Sequence, residues 1–453
     1  MRLFRLILII GLILFGVTVV VAGPTLLRSI PTRYVMRLPE PLQALALPSD
    51  QAPLLPTVAA PVAAQGLIFE SSAPDGTAAP PASPTPLPVD IQYTNPAGGG
   101  IVDDSLSQSP TLAVLPTATP SPTPWPVPQA ARMTGFTHHY QEWNNCGPAT
   151  LTMALTYFGL YHSQQQTGNG LRPHPEDRNV TPEEMAAYVN NQTKFKAISR
   201  VNGDLNLLRR LLANDIPVII EVGIDPPGEY RWLGWYGHYL LPVAYDDLYE
   251  QVWVYDSWLG TSEVPQTNAD PNGRIMPYSE LAAYWSQFNH NYIVLYRPEQ
   301  EADVLALLGE ELNDDKMWAN NLAQVQLDAS REPGNAFSWF NMGTAYNAVG
   351  EYEKAATAFD QALAIGLPWR MLWYQFGPYE AYYQVGRYDD ILLLTETTLK
   401  DRPYFEESFY YRGLAEAALG NMPAARENLE RAYAFNPNFT PANLALAELQ
   451  TDG

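Results

Sequence analysis

The sequence is almost without sulfhydryls. Its 453 residues include one cysteine, Cys146, which excludes an intrachain disulfide and any zinc site built on clustered cysteines. Histidine is scarce as well, with six residues. Basic residues are few: 26 Lys and Arg stand against 48 Asp and Glu, for a net charge of -22. The deficit is uneven, with 24 acidic and 10 basic residues from Glu299 to Gly453 against 17 and 11 from Ala131 to Pro298. So acidic a surface repels phosphate backbones, and nucleic acid is not an expected partner. Hydrophobic residues make up 46%, ample for sizeable cores, and the length calls for two domains or more.

What is present divides into four segments. Residues 1–22 carry Arg2 and Arg5 before an apolar run from Leu6 to Ala22. The run is slightly short of the ~20 residues that span a bilayer, though flanking residues extend it. Basic residues ahead of it favour an inside N-terminus with the rest of the chain outside. Val20 and Ala22 before Gly23 also satisfy a small-residue cleavage site. A membrane anchor and a cleaved signal peptide both fit, and both place the folded part outside the cytoplasm, tethered to the membrane or secreted. Residues 23–130 are proline-rich, holding 22 of the 41 prolines between Gly23 and Gln129. Such material buries too little apolar surface to offset chain entropy and reads as a disordered, partly polyproline-II spacer.

Composition changes at Ala131. Residues 131–298 mix helical and strand periodicity and end on the strand-like NYIVLY; residues 299–453 are helical throughout. The last part repeats itself. The unit AFSWFNMGTAYNAVGEYEKAATAFDQALAIGLP from Ala336 resembles a tetratricopeptide repeat at Trp339, Gly343, Tyr346, Gly350, Tyr352, Ala355, Phe359 and Ala362. A second unit from Glu406 keeps Phe409, Gly413, Gly420, Ala425, Leu429 and Ala432. Leu372–Pro403 and Ala302–Pro333 are degenerate units, and Thr440–Gln450 reads as a capping helix. The resemblance implies an all-α solenoid that recruits a protein or peptide partner. It puts Phe337, Phe340, Trp373, Phe376, Tyr383 and Tyr410 on or near a concave groove. That aromatic groove, with no basic residue among the six, suits an extended apolar or basic segment.

The lone cysteine lies in HHYQEWNNCGPATLTMALTYF. Asn144 and Asn145 are good N-caps and Pro148 suits a first helical turn. Leu151, Ala154, Leu155 and Phe158 then form an i, i+3, i+4, i+7 stripe. Cys146 is thus expected at a helix N-terminus, where the dipole and unpaired N–H groups stabilise a thiolate. Of the six histidines, His238 is the one set in strand-like sequence, in GHYLLPVAYDDLYEQVWVYDSWLG. Two β-rich runs, His238–Tyr245 and Gln251–Asp256, read as a hairpin. Folding it about Asp247 puts His238 opposite Asp256 on one face, where imidazole and carboxylate can bond. A slip of one residue would separate them.

YQEWNNCGPATLTMAL, GHYLLPVAYDD and VWVYDSWLG together resemble the papain-like cysteine peptidases related to the bacteriocin-processing, double-glycine-leader peptidases. The resemblance spans Phe136 to Tyr296. It implies an α+β papain-like domain in which Cys146 is the nucleophile, His238 the general base and acid, Asp256 the orienter of His238 and Gln141 an oxyanion donor. VTPEEMAAYV fits as a helix opened by a Thr181/Glu184 capping box with Pro182 in its first turn. LNLLRRLLANDIPVIIEVG reads as helix, turn and strand. DDLYE and DPNG, near Asp246 and Asp270, read as solvated turns rather than calcium loops, so neither metal nor cofactor is expected. Trp232, Trp235 and Trp258 surround the His and Asp motifs and suit either a substrate cleft or core packing. The expected activity is peptide-bond cleavage. An acyltransferase or amidase on the same residues, and a catalytically silent surface adaptor, are the alternatives.

Overall fold

The computed structural model describes residues 127–142, 144–172, 174, 180–225, 234–262 and 272–451, with 54–58, 64 and 67 from the proline-rich stretch. The expected signal or anchor at 1–22 lies outside the described residues. Among the described residues no helix is long and apolar enough to cross a membrane.

Residues 130–296 form an antiparallel sheet with helices on both faces. The strands are β1 (Ala130–Arg132), β2 (Lys196–Arg200), β3 (Val218–Ile224), β4 (Tyr236–Asp246), β5 (Gln251–Asp256), β6 (Arg274–Pro277) and β7 (Tyr292–Tyr296). Their order is β2-β7-β3-β4-β5-β6, and β1 pairs with the far end of β4. On one face lie α1 (Cys146–Thr156), α2 (Gln164–Leu171) and α3 (Pro182–Gln192); Leu151, Leu155, Met185 and Val189 meet Ile219, Leu241, Val243 and Ile293 there. On the other lie α4 (Leu205–Ala213) and α5 (Tyr278–Trp285); Leu208, Leu211 and Leu281 cover Ile220, Val222, Leu240 and Val254. The strands read as apolar on both sides because both faces are covered.

Local chemistry explains the boundaries. α3 opens on the expected capping box: Thr181 accepts from the Glu184 N–H at 3.2 Å, and Glu184 accepts from the Thr181 N–H at 2.8 Å. Asp204 caps α4 by accepting from the Leu207 N–H at 2.6 Å. α1 differs from an amphipathic surface helix. Every residue from Gly147 to Thr156 is buried, so it is a central helix, consistent with its largely uncharged sequence.

From Glu301 onward the chain is helical: α6 (Glu301–Leu308), α7 (Asp314–Arg331), α8 (Ala336–Ala348), α9 (Tyr352–Ile365), α10 (Gly377–Gln384), α11 (Tyr388–Asp401), α12 (Glu406–Ala418), α13 (Met422–Phe435) and α14 (Thr440–Thr451). Small residues set the helix spacing. A methyl group on Gly343 would sit 2.6 Å from the Phe359 ring, and one on Gly413 2.8 Å from Leu429, both impossible without movement. The pairing is regular except between α9 and α10. There Gly366–Phe376 forms an irregular excursion with one short 3-10 turn, Met371–Trp373.

Two expectations change. Phe340, Trp373 and Tyr410 do not line an open groove: all three are buried, Phe340 against Phe359 and Trp373 among Trp369, Phe405 and Arg402. Phe337, Phe376 and Tyr383 are half-buried. Close packing of the helices and of the Gly366–Phe376 excursion uses the largest aromatics as filling. Phe340→Ala should therefore cost about 3–5 kcal/mol of stability, as loss of a buried aromatic does, measured by urea unfolding; a cost below ~0.5 kcal/mol would return Phe340 to an exposed surface.

The second change concerns the proline-rich stretch, which is not a spacer throughout. Leu55, Val58, Ala64 and Leu67 are buried in the core of the helical array. The Leu55 N–H donates to the Leu367 carbonyl at 3.0 Å, and Leu54 bridges Pro368. The local run LLPTV has apolar side chains enough to dock.

Candidate active site

β4 supplies His238 and β5 supplies Asp256. The hairpin joining them is not folded about Asp247 as the sequence suggests. Asp246 pairs with Gln251, three residues away from that register, and Asp256 comes opposite Leu240 rather than His238. A bulge between Pro242 and Ala244 reconciles the two. Carried straight from the turn, the pairing would put Asp256 opposite Leu241, on the face away from His238. The extra residue at Val243 shifts the parity by one, so Asp256 shares the His238 and Leu240 face, diagonal to the imidazole. The bond forms: His238 Nε2 lies 2.9 Å from Asp256 Oδ1.

Asp256 is fully buried and satisfied on every side. Its Oδ1 also accepts the Trp258 and Leu259 N–H groups at 2.8 and 2.9 Å, and Arg274 Nη2 reaches Oδ2 at 3.1 Å. Burial alone would raise its pKa. The His238 charge and hydrogen bond, then Arg274 and the Leu259 N–H, overcome that and hold the carboxyl well below the usual range. His138 approaches the same residue from the other side, with Nε2 2.7 Å from the Asp256 carbonyl.

Cys146 opens α1 as expected, but the cap does not form as expected. Asn145 is the N-cap residue without a side-chain cap bond. Its amide instead donates to Gln164 Oε1 at 2.9 Å, and its Oδ1 accepts from Arg172 at 3.1 Å. Asn144 adopts the left-handed conformation, φ 57°. Neither Asn side chain thus competes for the first N–H groups of the helix, and the Gly147 N–H bonds the thiol. Burial pushes the Cys146 pKa up, but hydrogen bonding to His238, the imidazolium charge and backbone bonds at Gly147 and Tyr239 bring it net below its ordinary value. Burial likewise disfavours the His238 imidazolium, yet the Asp256 charge and hydrogen bond, with Cys146 added, raise its pKa to about 10. With Nε2 committed to Asp256, Nδ1 is the ring nitrogen left for the thiol. The arrangement favours a thiolate–imidazolium pair held by a carboxylate.

Of the histidines, His238 alone among the described residues bonds the thiol. His162 meets Tyr188, His174 stacks on Tyr404, and His290 packs on Trp285. Gln141 sits on the segment leading to α1. Its N–H donates to the Ser257 carbonyl at 2.7 Å, and its Oε1 accepts from the Ser257 hydroxyl at 3.0 Å. Ser257, the residue after Asp256, thereby fixes the orientation of the Gln141 amide. Trp258 lies edge-on to the His238 ring at 6.5 Å. Trp235 stacks between Phe288 and Phe337, each at 5.8 Å, and so packs the sheet against the helices. Trp232 lies outside the described residues.

Two side chains at the site escaped the sequence reading. Arg274 carries no motif and reaches Asp256 only through the fold. Glu221 is buried beside Cys146, with Oε2 accepting from Asn291 Nδ2 at 2.6 Å. Burial, aided by the Cys146 and Glu183 charges, lifts its pKa well above the usual carboxyl value despite its bonds to Asn291 and Tyr239. A glutamate inside the otherwise apolar VIIEVG was the available signal.

Residues 127–293 match the Peptidase_C39 like family. A solved structure, that of a C39-like peptidase from Bacillus anthracis, is 13% identical; the match covers 38% of this chain and 98% of that one, with a TM-score of 0.29. No curated protein matches the chain.

Proposed function

We propose that residues 131–298 form a thiol peptidase with Cys146 as nucleophile, His238 as acid and base and Asp256 as orienter. The observation that carries this reading is His238, hydrogen-bonded at once to a buried carboxylate 2.9 Å away and to the one thiol in the chain. The Cys146 thiolate attacks a peptide carbonyl. The Gln141 amide and the N–H groups at the start of α1 receive the oxyanion. As the tetrahedral adduct collapses, the C–N bond breaks and His238 Nδ1 gives its proton to the leaving amine, leaving a thioester. His238 then takes a proton from water, the resulting hydroxide attacks the thioester, and the carboxylic acid and thiolate are released. The folded part acts outside the cytoplasm, carried there by the apolar run at 1–22, and the tetratricopeptide-like helices hold a protein or peptide partner.

The test is the pH dependence of Cys146 alkylation by iodoacetamide. The thiolate forms above the lowered Cys146 pKa, and the ion pair is lost as His238 deprotonates near 10. Labelling should therefore set in with an apparent pKa below the ~8.5 of free cysteine, with a second inflection near pH 10. A single transition at the free-cysteine value would remove the basis of the proposal.

A further inference from the structure

The irregular excursion Gly366–Phe376 carries a buried arginine. Arg370 is 1% exposed, and a guanidinium is costly to bury unless its charge and donors are engaged. The engagement lies across the boundary between the helices and the sheet. Nη1 donates to the Trp235 carbonyl at 2.9 Å, and the guanidinium lies 3.9 Å from the centre of the Tyr236 ring. Trp369 and Trp373, at 4.4 and 5.4 Å, hold the cation from the side of the helices, since ring faces attract it. Tyr236 opens β4 and, two residues before His238, shares its face of the strand. Its ring meets Trp258 edge-on at 6.4 Å, and Trp258 in turn lies edge-on to His238 at 6.5 Å. The Trp258 N–H is also one of the donors to Asp256 Oδ1. Gly237, on the opposite face, packs closely on Phe288 and Tyr374: a methyl group there would lie 2.9 and 3.0 Å from their rings. The start of β4 is therefore gripped on both sides.

We propose that Arg370 is a positioning residue for the His238–Asp256 pair, acting through Tyr236 and Trp258. It does not itself line the space in front of Cys146. The proposal rests on the peptidase reading and deepens it: the helices brace the active site rather than only recruiting to it. Close-packed side chains transmit a displacement because no void absorbs it. Without the guanidinium, Tyr236 loses the group against its ring and Trp258 loses its backing. His238 is then free to swing away from Cys146 while still tied to Asp256. Against burial, the His238 hydrogen bond and charge hold the Cys146 pKa down, so a loosened imidazole raises it. The proposal also gives a physical reason for the unit after α9 to depart from its neighbours. A regular helix there would withdraw Arg370 from β4.

The experiment is the pH profile of Cys146 alkylation by iodoacetamide in the full chain, with urea unfolding of each variant. Arg370→Gln should move the onset of labelling up by about one pH unit, equivalent to a roughly tenfold drop in rate on the acid side. Tyr236→Leu leaves the Trp235 carbonyl available to Arg370 and should move the onset as far. Tyr236→Phe, which keeps the ring, should restore the wild-type onset. The double variant Arg370→Gln/Tyr236→Leu should shift no further than either single one, because both break the same chain of contacts. Tyr236→Leu carries the test alone if Arg370→Gln loses its cooperative unfolding. An unmoved onset in the folded variant, or a double variant that shifts by the sum of the two, overturns the positioning role and leaves the peptidase reading intact. A wild-type Cys146 that titrates as a free thiol, or is not labelled at all, overturns both.

Discussion

Cys146→Ala should reduce turnover of any peptide substrate by about 10⁴-fold or more, the order lost when the nucleophile of a cooperating set is removed. The same change should leave the fold in place. The side chain sits at the start of α1 rather than within its packed length, and alanine is a good helix former. Gly147 and Tyr239 lose a bond to sulfur, but Pro148, Leu151 and Leu155 keep their surroundings. The measurements are a progress curve on a peptide library and a thermal melt run side by side. Residual turnover within about tenfold of wild type would show that the chemistry runs through another group. A collapsed melting transition would show that the thiol is structural.

Asp256→Asn should be nearly as severe, with a cost of about 10³–10⁴-fold in kcat/KM, as expected when an orienting carboxylate loses its charge. The asparagine carbonyl can still accept from His238 and from the Trp258 and Leu259 N–H groups. Its amide then faces Arg274, donor against donor, where a carboxylate oxygen stood 3.1 Å away. The Asp256 charge is also the chief influence raising the His238 pKa. Without it the imidazolium is no longer favoured, and the Cys146 thiolate loses its counter-ion. Iodoacetamide labelling should shift to higher pH in the variant, a change that a purely structural role would not produce. Stability should fall too, by about 3–5 kcal/mol, because Arg274 is left partly buried and unpaired. Near-normal kcat/KM with an unmoved labelling profile would reduce Asp256 to a structural residue.

Much of the site was legible because local chemistry announces itself. The Thr181/Glu184 box lies within four residues and stands in the structure as read. The helix position of Cys146 followed from Pro148 and the apolar stripe. The hairpin register that the sequence suggests is not the one that brings His238 to Asp256. The turn is offset, and the bulge at Val243 restores the face; a bulge in apolar sequence leaves no mark in periodicity. Asn145 has the chemistry of a cap but is drawn aside by Gln164 and Arg172, partners beyond local reach. Arg274 comes to Asp256 from β6, and Glu221 and Tyr374 come to Cys146 from β3 and the segment after α9. Only the assembled sheet and its contact with the helices bring them together. The aromatics assigned to a groove failed for a related reason, since helical spacing cannot tell a side chain filling a seam from one facing solvent.

The docked run at Leu54–Val58 bears on the order of events during synthesis. Leu55 leaves the ribosome about 300 residues before Leu367, the carbonyl it pairs with, a delay of roughly 15–60 s at ~5–20 residues per second. Throughout that interval Leu54, Leu55 and Val58 have no dock, and a short apolar stretch with free backbone groups invites pairing with other chains. Pro53 and Pro56 are placed in and beside that stretch and, lacking an N–H, interrupt any strand ladder it could enter. The array can then seal its core only after α9 has emerged, so the earliest-made apolar run of the described chain is among the last to find its place.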